Sequence, residues 1–150
     1  MRRTLSREDF QADPSKAWNE FVHLLFMTEF DELTLIQRVA ALAIWYDSEV
    51  QNGGHLQYFE NRGTAHLDGT VGALESIGAT RQSDVLSQAG RSWLSKSRRP
   101  IRTVDEFVRR AGTGEFDDFD RRYYECRPTV GTELLEAYLD THFSEFIELM

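Results

Sequence analysis

Two adjacent glycines at the end of a long apolar run constrain this chain more than any other feature. The stretch Glu49-Val50-Gln51-Asn52-Gly53-Gly54-His55-Leu56-Gln57-Tyr58-Phe59-Glu60-Asn61-Arg62-Gly63 ends one helix, turns, and at once starts another. Glycine takes φ > 0 without a Cβ penalty, which closes a helix C-terminus, and a second glycine beside it adds a flexible joint. Before this corner, Leu35, Ile36, Val39, Leu42, Ala43, Trp45, Tyr46 and Val50 cover far more than one narrow stripe. A helix apolar around most of its girth is usually central, so residues 32–51 are expected to form the core helix. Beyond the corner, Leu56 and Phe59 share one face of a short helix and Gln57 and Asn61 another, at i,i+4. Gly63 ends it.

The remaining segments read the same way. Residues 1–12 are expected to be a flexible N-terminal segment, and residues 13–150 a single domain. Asp13-Pro14-Ser15 places a capping residue before a proline suited to the first helical turn, and Trp18, Phe21, Val22, Leu25 and Phe26 follow at helical spacing. Further helices are expected over residues 67–78, from Thr80 or Ser83 to Trp93, from Thr103 to about Gly112, and from Phe116 to Cys126. A last one opens at Thr129 or Thr132, with Leu135, Leu139, Phe143 and Phe146 on its apolar face. No segment alternates with period two for long enough to make a strand. The fold class is therefore all-α, a compact multi-helix domain around the central apolar helix.

A chain of 150 residues is long enough to bury one core without disulfides or metals. The single cysteine, Cys126, excludes an intrachain disulfide framework and fits a reducing compartment. The basic start Met1-Arg2-Arg3 never opens into an apolar signal region, and no run approaches a membrane span, so a cytoplasmic protein without membrane contact is expected. The formal net charge is −8, unevenly spread: residues 128–150 hold five acids and no Lys or Arg, whereas Lys96, Arg98, Arg99 and Arg102 crowd one loop.

On one continuous final helix, Glu133, Glu136, Asp140 and Glu148 would fall within roughly a third of the circumference, with Glu145 extending the arc. That is about one charge per 4.5 Å, against about 3.4 Å per phosphate along one DNA strand. Such a ridge would attract a protein surface built to hold phosphates, although a charged helix face also serves plain solubility. Glu115, Asp117, Asp118 and Asp120 form a second acidic cluster, explained by helix N-capping with surface charge and without the calcium-loop pattern. His23, His55, His66 and His142 show no zinc spacing, so no metal and no cofactor are expected. No catalytic motif is present either. The basic loop lacks the interleaved aromatics of a nucleic-acid binder, which argues against direct nucleic-acid contact. Glu49, Asn52, Gln57 and Asn61 could line a pocket beside Tyr58 and Phe59, or satisfy backbone groups at the corner formed by Gly53 and Gly54.

The stretch from Glu49 to Asn61 resembles the signature of the DNA mimic protein 19-like family of small bacterial proteins. Ala73-Leu74-Glu75-Ser76-Ile77-Gly78-Ala79 and the segment Phe116 to Tyr124 are looser echoes in the expected order. The resemblance implies a compact helical domain that presents carboxylates in place of DNA phosphates to a basic DNA-binding protein such as a transcriptional regulator. Charge geometry puts Glu133, Glu136 and Asp140 first among the contacts, then Asp117, Asp118 and Asp120. Two other readings stay open: an immunity-like or antitoxin-like protein that neutralises one partner, and a small-molecule-binding or enzymatic domain at the glycine corner. A homodimer is left open too.

Overall fold

The computed structural model describes residues 1–150. The order along the chain is β1 (Arg3–Leu5), α1 (Arg7–Ala12), α2 (Ser15–Met27), a 3-10 turn (Phe30–Glu32), α3 (Leu35–Arg62), α4 (Leu67–Ser76), α5 (Thr80–Leu94), α6 (Val104–Ala111), α7 (Asp117–Glu125), a π-helical turn (Val130–Leu134), α8 (Leu135–Thr141), α9 (Phe143–Phe146) and β2 (Ile147–Leu149). The domain is all-α apart from one very small parallel ladder, in which Arg3 pairs with Ile147 and Leu5 with Leu149.

Helix α3 is the centre, packed by α2, α4, α7 and α8. Its start is fixed by a capping box: Thr34 accepts from the Gln37 N–H, and the Gln37 side chain accepts from the Thr34 N–H at 3.0 Å. The same carboxamide, fully buried, donates to the carbonyls of Met1 and Glu145 at 2.7 Å each. One glutamine thus ties the first turn of the central helix to both ends of the chain. Ala40, Ala41, Ala43, Tyr46 and Val50 have no exposed surface, as expected of a helix surrounded by others.

At the glycine corner the helix breaks without a loop. Gly53 (φ −148°, ψ 20°) and Gly54 (φ 72°, ψ −172°) leave the helical region, and residues from His55 to Arg62 resume it. Gly54 occupies a region of backbone space open essentially to glycine alone, and Gly63 (φ 62°) closes the second limb. The expected stop and redirection is present, compressed into a kink.

Two expectations are corrected. Residues 1–12, expected to be flexible, form β1 and α1, because Met150 bonds with the backbone of both Leu5 and Arg7, at 3.0 and 2.9 Å, and Phe10 packs on Phe143. The last helix is not continuous: it starts with a π-helical turn and breaks at His142 (φ −116°, ψ 25°). That break swings Phe146 inward to meet Phe21 edge-on at 4.8 Å with no exposed surface. No helix is long and apolar enough to cross a membrane.

A Cβ on Gly54 would run into the carboxylate of Asp120, while one on Gly72, in the body of α4, would meet nothing. Gly54→Ala is therefore expected to cost about 1–3 kcal/mol from backbone strain alone, and Gly72→Ala to stabilise by about 0.5–1 kcal/mol. Urea unfolding of the two variants checks this; a Gly54→Ala protein as stable as the parent would contradict the kink geometry.

Candidate functional site

The π-helical turn and the break at His142 redistribute the C-terminal carboxylates. Glu133 folds back on its own turn, accepting from the Thr129 N–H at 2.6 Å and the Thr129 hydroxyl at 3.1 Å, and these bonds hold its pKa below the usual range. Glu145 lies past the break on α9, and Glu148 lies on β2, 3.8 Å from Arg2. Glu136 and Asp140 remain one turn apart on α8, exposed and without any ion-pair partner within 4.0 Å. They border a cleft of about 320 Å³ between α8 and the N-terminal helices, floored by Phe10, Trp18, Leu139 and Phe143. Of the five carboxylates expected on one ridge, the structure leaves these two side by side and free.

The second cluster is largely compensated. Asp118 pairs with Arg121 at 2.5 Å and approaches Arg122 at 3.8 Å. Asp117 is exposed, but it shares a small recess with Arg110 and Glu115. The basic loop lies close by. Arg98 turns inward onto the faces of Trp93 and Phe116 and forms a two-pronged pair with Glu115, whose pKa falls chiefly because of that guanidinium. The most buried arginine of the loop therefore serves packing.

Asp120 is turned into the protein. Its Oδ1 accepts from the backbone N–H of His55 at 2.8 Å and from the His55 imidazole at 2.6 Å. The kink leaves the N–H groups of the next helical limb without intrahelical acceptors, and Asp120 supplies one from 65 residues away while placing negative charge at the positive end of that limb. The other imidazole nitrogen meets the Tyr46 hydroxyl at 2.7 Å. That hydroxyl has no other acceptor, so it donates to Nε2, and Nδ1 carries the proton shared with Asp120. Carboxylate, imidazole and hydroxyl in this order form the relay that activates a nucleophile in many enzymes. Here Tyr46 and His55 have no exposed surface, and burial drives the Tyr46 pKa well up. The relay is a satisfied polar core. Its only trace in the sequence is a histidine directly after two glycines, and nothing there names Asp120 or Tyr46 as partners.

The corner amides hold one another. Gln57 and Asn61 both donate to Glu49 Oε2 at 2.8 Å, Asn52 donates to Gln57 Oε1 at 3.1 Å, and Arg62 Nε lies 3.3 Å from Glu49 Oε1. Glu49 thus clasps the two limbs of α3 across the kink, with Gly53 leaving room for the Gln57 side chain. Phe59 is core, stacked on Trp93 at 5.0 Å. Tyr58 is also buried but lines a cavity on the side of the second limb.

The family model described as DMP19-like protein matches residues 31–142. No curated protein and no solved structure matches the chain.

Asp47 presents a pH signature. Burial raises its pKa against the lowering influence of Tyr123, which donates to Oδ1 at 2.5 Å, and of Gln51. The folded state therefore favours protonated Asp47. Its contribution to stability is present below the ordinary aspartate pKa of about 3.9 and is lost as pH rises through the higher folded value. Asp47→Asn keeps an acceptor for Tyr123 and removes the ionisation, so its melting temperature relative to the parent should be higher at pH 7 than at pH 4. An offset that stays constant over that range would contradict the assignment.

Proposed function

The chain belongs to the DMP19-like protein family, and from that premise we propose that it acts by contact with another protein, masking the basic surface of a DNA-binding protein. The observation that carries this reading is the pair Glu136 and Asp140 on α8, exposed and unpaired beside an aromatic cleft. Four residues of helix separate them by about 6 Å of rise, within a factor of two of the roughly 3.4 Å per phosphate of a DNA strand. An Arg or Lys fork that holds phosphates can hold such carboxylates with the same charge-assisted bonds. The net charge of −8 adds long-range attraction toward a cationic partner.

Masking follows by competition. A partner whose phosphate-binding groups are occupied by carboxylates cannot hold its own DNA, and added salt weakens the complex by screening exposed charge. Glu133 and Asp117, earlier in the chain, are exposed too and add to the negative charge. A second reading is favoured by the cleft floor. Phe10, Trp18 and Phe143 offer apolar contact that salt does not screen, as suits a protein that neutralises one specific toxin.

Affinity capture with the tagged protein, eluted by rising salt, separates the two readings. Masking predicts a basic DNA-binding protein, released at moderate salt and displaced by its own operator DNA. The double variant Glu136→Lys, Asp140→Lys should weaken that complex roughly ten- to a hundredfold, a loss of about 1.4–2.8 kcal/mol, with an unchanged helical spectrum. A complex that resists high salt and ignores the double substitution would favour the toxin-neutralising reading.

A further inference from the structure

The second limb of α3 and the start of α4 enclose a cavity of about 260 Å³ that the acidic surface does not use. In a chain carrying a net charge of −8, no acidic side chain lines it, whereas Arg62 and His66 do. Its wall is the indole of Trp45, whose N–H is spent on the carbonyl of Leu25 at 3.1 Å, together with Leu42. Its polar groups are only partly spoken for. Tyr58 is 3% exposed and lines the cavity, where burial raises its pKa and the neighbouring Thr70 hydroxyl opposes that rise. Thr70 beside it already donates to the carbonyl of His66 at 2.8 Å.

Arg62 is held for binding. Its guanidinium lies over the Trp45 ring at 4.8 Å, and its Nε end faces Glu49 at 3.3 Å. The other oxygen of Glu49 accepts from Gln57 and Asn61. The terminal nitrogens of Arg62 make no hydrogen bond within the chain, which leaves the outer edge of a planar fork free and fixed in orientation. A fork of this kind matches a carboxylate. The corner motif thus has a second consequence: the clasp that holds the kink also aims Arg62.

We propose that this cavity binds a small monocarboxylic acid, with the carboxylate on Arg62 and the Tyr58 hydroxyl and a compact apolar body against Trp45 and Leu42. At about 260 Å³ the cavity lies just under the roughly 300 Å³ at which drug-sized pockets begin, which restricts the ligand to a smaller acid. The site is independent of the α8 surface, and its occupation requires no partner protein.

The test is fluorine NMR on the full chain with two probes, 4-fluorobenzoate and 4,4,4-trifluorobutyrate, each compared with its primary amide. Saturable broadening by at least one acid and none by its amide is expected. Tyr58→Phe, which keeps the ring in place, should weaken binding about tenfold by removing one hydrogen bond to a charged group. Arg62→Gln should abolish it, while circular dichroism shows both variants folded. If neither acid binds saturably, if amides bind as well as acids, or if Tyr58→Phe binds like the parent, the proposal fails.

Discussion

The structure depends on how the break in its central helix is satisfied. Interrupting α3 at Gly53 and Gly54 frees backbone N–H groups in the interior, where an unpaired donor costs about 1–3 kcal/mol. Asp120 answers this by accepting from the His55 backbone N–H, and the same oxygen accepts from the imidazole Nδ1–H. The carboxylate fits only because Gly54 has no side chain, and Gly54 adopts its backbone angles for the same reason. Helix α7 is thereby pinned against α3, and Tyr46, His55 and Tyr123 pack around the joint with ring centroids 5.3–6.0 Å apart.

Fixing the kink in this way divides the acidic residues into two populations. Asp120, Glu49 and Glu115 are committed to internal donors, and Glu133 to its own turn. Glu136 and Asp140 remain uncommitted because Leu135 and Leu139 anchor α8 in the core while no cationic side chain comes within ion-pair distance of the two carboxylates. Glu136 and Asp140 share this state with carboxylates elsewhere, such as Asp31, Glu32, Asp68 and Asp105, but on α8 they stand beside an apolar groove. Affinity drawn from both sources would be specific as well as salt-sensitive.

The residues that carry the family resemblance act mainly as a clasp. Glu49, Asn52, Gln57 and Asn61 bond with each other across the kink, as amides at helix ends often do. The corner maintains the fold, and the exposed carboxylates of α8 lie some 80 residues later in the chain.

The sequence by itself determined the helices, the corner and the centrality of α3, because periodicity, capping residues and glycine act over a few neighbouring positions. Gly63 and the apolar run from Leu35 to Val50 are legible in place, whereas the bonds of Gln37 to both chain ends are not. The interruption of the last helix was hidden, since Leu135, Leu139, Phe143 and Phe146 keep a helical spacing across it and only the demand of the core for Phe146 turns the chain at His142. The pairing of β1 with β2 was hidden too: three residues are too few to show alternation, and their partners lie at opposite ends of the chain. Tertiary structure alone decided which carboxylates are free. Whether an aspartate caps, pairs or faces solvent is set by donors within about 3 Å of its oxygens, and for Asp120 those donors stand 65 positions away.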